Sequence, residues 1–160
     1  MKIVDPKKPA SAIEAAKKFK EESGRDPLLL QNQLCFPLYA ASRRIIRLYT
    51  PLLEPLGLTY TQYITLLALW EKDGVTVNEL GERLLLDSGT MTPLLKKMEA
   101  EGLLIRKRDT GDERCVRIFL TAPGRTLKDK AAEIPGQLSS CVPLTDDEVE
   151  SLYRILYRLL

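Results

Sequence analysis

The stretch from Asn78 to Thr121 constrains this chain most. It reads as two short helices joined by a glycine-containing turn and followed by a pair of alternating strands. Asn78 is expected to cap "ELGERLLL", and "LDSG" to form the turn. Asp87 or Ser88 then starts "GTMTPLLKKMEAEG". Gly102 closes that helix at the position where a left-handed residue commonly ends one. Two helices joined in this way make the helix-turn-helix pattern. In "LLIRKRDTGDERCVRIFLT" alternating residues flank the turn signal "DTGD", which predicts a β-hairpin. Its arms carry Arg106, Lys107, Arg108, Arg114 and Arg117. The "VTV" ahead of Asn78 is long enough only for a stub of strand.

A helix-turn-helix followed at once by a basic hairpin is a winged helix. The fold class expected is therefore mainly α with a small β wing, and with further helices at both ends. Residues 1–26 read as an N-terminal arm. Its "SAIEAAKKFKEE" can form a short helix, expected to open on a Ser11–Glu14 capping box and to end at "SGRDP". Residues 27–160 read as a single winged-helix domain, with its DNA-binding part at about 59–120. A long helix is expected from Asn32, a good N-cap, to about Tyr49, with Pro37 in the first turn, where a missing N–H costs least. "TPLLEPLG" breaks it. Thr59 and Gln62 form a capping box ahead of "YITLLALWEK". Thr121 caps "TAPGRTLKDKAAEI", which Pro135 and Gly136 interrupt. Thr145 and Glu148 open the last helix, whose Val149, Leu152, Ile155, Leu156 and Leu159 keep helical spacing. The apolar stripes of the first and last helices exceed what a small winged helix needs. They are expected to dimerise the chain, since winged-helix readers of palindromic sites work as two-fold dimers; completing one core is the plainer alternative.

With 160 residues, 44% of them hydrophobic, the chain can bury one core. A net charge of +2 argues neither for nor against nucleic acid, so any basic surface must be local. The chain has no histidine. That removes Ser–His and Cys–His nucleophilic catalysis and the commonest transition-metal ligand. Three widely spaced cysteines would need a carboxylate to hold zinc. No metal, no cofactor and no enzyme activity are expected. No apolar run reaches membrane-spanning length, and the start lacks the hydrophobic core of a signal peptide. The cytoplasm is the expected location, without membrane attachment. There an odd count of three cysteines points to transient, sensory chemistry rather than a disulfide framework.

Two places carry candidate chemistry. The helix from Ser88 presents Ser88, Thr90, Thr92, Lys96 and Lys97, with Asp87 at its start. Hydroxyls and free N–H groups at a helix N-terminus suit phosphate and base-edge contacts. Hairpin arginines suit an adjacent minor groove, whose negative potential attracts guanidinium. Against this, basic and acidic residues balance between 78 and 117, so a folded unit with solvated charges is the bland reading. The second place is "QLCFPLYAASRR". A buried, inert Cys35 would be unremarked. With Asn32 as cap, however, Cys35 lies in a first turn, where unpaired N–H groups and the helix dipole favour a thiolate. Tyr39 stands at i+4 on the same face, and Tyr49 and Tyr60 are further phenols that a dimer could bring close. Phenol O–H groups donate to a thiolate without bringing a competing charge.

Taken together, these segments resemble a known family. "DERCVRIFLTAPG" is similar to the wing signature of MarR-type winged-helix repressors. "NQLCFPLYAASR", "LGLTYTQY", "LDSGTMTPLLKKME" and "EIPG" resemble, more narrowly, its organic-hydroperoxide-sensing, OhrR-like branch. The likeness runs from about Leu28 to Gly136 and more loosely to the end. It implies a homodimeric repressor whose reduced form binds a double-stranded inverted-repeat operator and leaves it when Cys35 is oxidised by an organic hydroperoxide. In that branch the tyrosines matching Tyr49 and Tyr60 reach the thiolate from the partner subunit, and the one matching Tyr39 lies close by. The helix from Ser88 enters the major groove. The wing arginine matching Arg114 enters the minor groove, with Arg106 and Arg108 as further DNA-binding candidates on the wing, and the aspartate matching Asp112 steadies that wing. Pro37 departs from the commoner pattern. Leu34, Phe36 and Leu38 would suit an alkyl or lipid hydroperoxide. In two-cysteine members the resolving cysteine falls after the "IPG" stretch, which implies a Cys35–Cys141 disulfide across the dimer, with Cys115 a bystander on the wing strand. A low-molecular-weight thiol capping Cys35 is the alternative. Two rival functions are a MarR-type repressor that answers a small aromatic ligand, with Cys35 incidental, and a thiol peroxidase.

Overall fold

A computed structural model describes residues 21, 24, 26, 28–109, 111, 112 and 114–160. The arm over residues 1–26 lies almost wholly outside them, and so does the Ser11–Glu14 capping box. The chain divides into two compact units, Met1–Arg44 and Ile45–Leu160.

The first long helix, α1, spans Cys35–Leu53. It does not start at Asn32. The Asn32 side chain donates its Nδ2 to the Asp26 carbonyl at 2.8 Å, and Asn32 ends a 3-10 turn, Leu30–Asn32. An amide turned upstream in this way caps nothing downstream, so the α-helix begins three residues later and makes Cys35 its first residue. At the other end α1 runs past Tyr49 and through Pro51. Leu53 is 1% exposed, and burying a leucine is worth about 1.5–3 kcal/mol, comparable to the roughly 3 kcal/mol a helical proline costs. A 3-10 turn, Glu54–Leu56, and Gly57 at φ +67° then close the segment.

In the second unit, α2 (Tyr60–Glu71) opens on the expected Thr59–Gln62 capping box. The stub β1 (Val75–Thr76) leads directly into α3 (Val77–Leu84). Here the cap is Thr76, not Asn78. Thr76 Oγ1 accepts from the Glu79 N–H at 3.1 Å, and Glu79 Oε2 accepts from the Thr76 N–H at 2.7 Å. A reciprocal box at Thr76 leaves Asn78 inside the helix. Leu85, in the left-handed region at φ +55°, turns the chain toward α4 (Ser88–Ala100). Gly81 is needed at this turn, because a Cβ there would meet the Leu86 carbonyl at 2.9 Å.

The wing is the hairpin β2 (Leu104–Arg108) and β3 (Val116–Leu120). The antiparallel sheet has the order β1-β3-β2, with Val75 opposite Ile118 and Leu104 opposite Leu120. Arg114 and Cys115 lie just before β3 rather than on it; the Asp109 N–H still holds the Cys115 carbonyl at 2.9 Å. Thr121 caps α5 (Ala122–Ala131) as expected. Pro135 and Gly136 do not interrupt it. The chain breaks earlier, and Pro135 sits in the first turn of α6 (Ile134–Ser139), where its missing N–H leaves no bond unmade. The last helix, α7 (Asp146–Leu156), opens with the Thr145 N–H and hydroxyl both on Glu148 Oε2, at 2.8 and 3.0 Å.

One core holds this unit together. Tyr63, Leu66 and Leu69 of α2, Leu80 of α3, Met91, Leu95 and Met98 of α4, and Leu104 and Ile118 of the wing are all nearly inaccessible. Helix spacing puts Met91, Leu95 and Met98 on one stripe, which turns the opposite face of α4 to solvent. That packing decides which side chains can face a ligand.

Candidate nucleic-acid interface and sensing cysteine

Asp87 caps α4: its Oδ1 accepts from the Thr90 N–H at 2.9 Å and its Oδ2 from the Thr90 hydroxyl at 3.2 Å. The Thr90 N–H, then its hydroxyl, hold the Asp87 carboxyl below the usual carboxylate range. The Thr92 hydroxyl donates to the Ser88 carbonyl at 2.8 Å. Both threonine protons are therefore used inside the helix, and the oxygens face outward as acceptors. That polarity suits the amino groups of adenine and cytosine in a major groove. Ser88, Thr90, Thr92, Lys96 and Lys97 are all exposed on the outer face, and Lys97 lies 3.8 Å from Glu101.

The wing basic residues separate into two groups. Arg106 lies on Glu99 of α4, with Nη2 and Nε at 2.7 and 2.8 Å from Oε2. Arg117 pairs with Asp109 and donates to the Gly74 carbonyl at 2.9 Å. These two pairs hold both acids below the usual carboxylate range. Arg108 and Arg114 are exposed and have no carboxylate partner among the described residues. Asp112 accepts the Arg114 N–H on Oδ1 at 3.0 Å, and its backbone carbonyl accepts the Cys115 N–H at 2.9 Å, so it ties the loop that carries Arg114. A groove of about 310 Å³ between α3, α4 and the wing is lined by Asn78, Thr92, Arg106, Arg114 and Cys115. The sequence could not show the Glu99–Arg106 pair, because it joins a helix end to a strand in space. The resemblance singles out Arg114 for the minor groove, and the pairing of Arg106 with Glu99 is what separates the two in space.

Cys35 is exposed on the first residue of α1, and Tyr39 follows one turn on, 57% exposed. The Tyr39 oxygen accepts from Arg43 Nη1 at 2.6 Å, and the guanidinium carbon lies 5.5 Å from the ring centroid. Arg43 escaped the sequence reading, although its i+4 spacing from Tyr39 was legible. In the second unit the Tyr49 and Tyr60 rings pack tilted at 53° with centroids 4.9 Å apart, and the Tyr63 ring lies 5.7 Å from Tyr49. Burial, then the neighbouring Tyr60, Tyr63 and Tyr153 phenols, push Tyr49 up to about 12. Burial also raises Tyr60. Tyr49 and Tyr60 keep their O–H protons at neutral pH. Cys115 is half-buried, with its thiol on Asp112 Oδ2 at 3.6 Å; burial first, then Asp112, push that thiol up. Cys141 is exposed between α6 and α7, its Sγ 3.4 Å from the Gln137 carbonyl. Among the described residues no cluster of three cysteine, aspartate or glutamate side chains is arranged to hold a metal ion, and no helix is long and apolar enough to cross a membrane.

A capped helix aligned with a basic wing, both braced by one core, defines a winged-helix transcriptional regulator. The family model "Transcriptional regulator SarA/Rot" matches residues 47–131. The organic hydroperoxide resistance transcriptional regulator of Bacillus subtilis is 49% identical over 139 residues, 87% of this chain and 95% of that one. Reduced AbfR bound to DNA, from a Staphylococcus epidermidis protein, superposes with a TM-score of 0.71 at 38% identity, over 81% of this chain and 89% of that one. A disulfide-formed AbfR superposes at 0.59 and 37% identity, over 89% and 94%. The chain belongs to the SarA/Rot and MarR-type winged-helix regulators, in the branch of the organic hydroperoxide resistance regulators.

Proposed function

We propose that this chain is a redox-sensing repressor that holds operator DNA as a reduced homodimer and releases it when Cys35 is oxidised by an organic hydroperoxide. The observation that carries the reading is an exposed cysteine at the first position of a helix, with a phenol one turn away, in a chain whose relatives include a DNA-bound reduced form and a disulfide form. The Cys35 thiolate attacks the terminal peroxide oxygen. The O–O bond breaks, an S–O bond forms, and the alkoxide takes a proton and leaves as an alcohol. Sulfur is oxidised by two electrons and the peroxide reduced by two, giving a sulfenic acid. The partner subunit's Tyr49 and Tyr60 are suited to donate to the thiolate, since both phenols keep their protons.

Contact with DNA falls to the outer face of α4, through Ser88, Thr90, Thr92, Lys96 and Lys97, and to Arg108 and Arg114 on the wing. Dimerisation is assigned to the terminal helices, where Leu34, Phe36, Leu152, Ile155 and Leu159 are exposed in the single chain. The relatives are regulators, which argues against a thiol peroxidase. A cytoplasmic location fits a DNA-binding regulator.

Titrating operator DNA with reduced protein, with and without cumene hydroperoxide, tests this. Native protein is expected to lose the operator on oxidation. Cys35→Ser is expected to bind but not to respond, because a hydroxyl has no such oxidation ladder. Release of the Cys35→Ser protein by hydroperoxide would overturn the assignment.

A further inference from the structure

We infer that Arg43 is a positioning residue of the sensing site, holding the Tyr39 phenol so that its O–H serves the sulfur of Cys35. This rests on the reading of Cys35 as the sensor. Cys35, Tyr39 and Arg43 stand at i, i+4 and i+8 on α1, one face at one-turn intervals. Side chains on a helix lean back toward its N-terminus, so Arg43 reaches toward Tyr39 and Tyr39 toward Cys35. The structure shows the first half of that relay: Arg43 Nη1 donates to the Tyr39 oxygen at 2.6 Å, and the guanidinium carbon lies 5.5 Å from the ring centroid.

Two consequences follow from the chemistry of a phenol. Its oxygen can accept while its hydrogen is donated elsewhere. An acceptor role filled by a cation leaves the Tyr39 proton as the group's remaining function, and a charged donor on the oxygen strengthens that proton as a donor. In the single chain the ring is also more than half exposed, at 57%, so little packing within the chain fixes it. A guanidinium that both bonds the oxygen and faces the ring supplies the missing restraint. Arg43 acts through Tyr39 and not by its own field. The guanidinium's bond is to the phenol, and salt separates such a bond from a field acting through solvent.

The test uses full-length protein carrying Cys115→Ser and Cys141→Ser, so that oxidation is read at Cys35 alone. Cumene hydroperoxide is added, and the rate at which a sulfenate-trapping dione labels the protein is followed by mass. Arg43→Met is expected to slow labelling roughly tenfold, as for loss of a charge-assisted bond. Arg43→Lys, which keeps a charged N–H donor, is expected to recover part of the rate. Tyr39→Phe is expected to be as slow as Arg43→Met, and the double variant no slower than either. The Arg43→Met effect is expected to persist at 0.5 M salt, where about 4 Å of screening length would remove a through-solvent field. Unchanged labelling in Arg43→Met, additive losses in the double variant, or disappearance of the effect at high salt would each overturn the inference. Absence of any labelling at Cys35 in the background protein would instead overturn the sensor reading itself.

Discussion

Arg106 places Nε and Nη2 on a single oxygen of Glu99, at 2.8 and 2.7 Å, while its backbone N–H takes the other oxygen at 2.9 Å. Three bonds between the last turns of α4 and the first residues of the wing fix the angle at which the hairpin leaves the helix. Glu99→Gln and Arg106→Ala are therefore expected to weaken operator binding by about the same factor, roughly tenfold, the worth of one charge-assisted bond. Neither is expected to change how steeply affinity falls with salt. A slope reduced by about one unit in Arg106→Ala alone would show that this guanidinium meets phosphate instead.

Arg114→Ala is expected to behave differently. Its guanidinium has no carboxylate partner among the described residues, and the loop beneath it is tied by Asp112. Losing a cation inserted in a groove lowers affinity and reduces the salt slope by about one. Titrations of one operator at 50 and 200 mM salt separate the two arginines. An Arg114→Ala protein with native affinity and native slope would mean that the wing tip does not touch DNA.

Gly124 fixes a contact on which the whole second unit depends. A Cβ there would sit 2.0 Å from the Leu103 carbonyl oxygen, which is backbone and cannot swing aside. The Gly124 carbonyl also accepts the Trp70 indole N–H at 2.9 Å. Gly124→Ala is expected to destabilise the protein by about 3 kcal/mol, at the upper end for overpacking. Urea unfolding measures it, and a loss below about 0.5 kcal/mol would mean that α5 moves freely away from Leu103.

Much of this architecture was legible because it is local. Thr59–Gln62 and Thr145–Glu148 are capping boxes within four residues of sequence, and "DTGD" between alternating residues is a hairpin in any context. The departures have different causes. Asn32 looks like a cap, but the Asp26 carbonyl six residues upstream takes its amide; Thr76 displaces Asn78 through a box with Glu79 that is itself local and was there to be read. Pro51 looked like a helix end, but the core claims Leu53 beyond it. In the site, the residue types were readable and their partners were not. Residue type in "RKRDTGDER" does not separate Arg106 from Arg114; the resemblance points to Arg114, and the return of the wing to Glu99 shows where Arg106 goes.

Tyr49 gives the protein an alkaline signature. Its phenol is pushed up to about 12 by burial and by neighbouring phenols, against about 10 for a free tyrosine. A native pKa above the unfolded one means that the folded state keeps a proton the unfolded state gives up. Stability is then unaffected by this group below about pH 10 and declines as pH rises from about 10 toward 12. Tyr49→Phe, which cannot ionise, is expected to lose part of that decline. Denaturant midpoints at pH 9 and pH 11 for the two proteins measure it, and equal declines would show that Tyr49 is not held in the neutral form.

The sulfenic acid at Cys35 is a small change, one oxygen on one sulfur, and a second thiol turns it into a large one. That thiol attacks the sulfenic sulfur, an S–S bond forms, and water leaves. Cys115 is poorly suited to the attack: burial and Asp112 keep it a thiol, and the Asp109 N–H holds its backbone. Cys141 is exposed in the short segment between α6 and α7; its backbone N–H holds the Leu138 carbonyl at 2.9 Å, but its side chain has only the weak Sγ contact with the Gln137 carbonyl and can turn toward a partner at little cost. Mild cumene hydroperoxide is expected to give a dimer band on non-reducing gels that dithiothreitol removes. The band is expected to vanish in Cys141→Ser and to persist in Cys115→Ser. Capping of Cys35 by a low-molecular-weight thiol predicts instead no dimer band and a mass increase equal to that thiol. A band that survives in Cys141→Ser would move the resolving role to another cysteine.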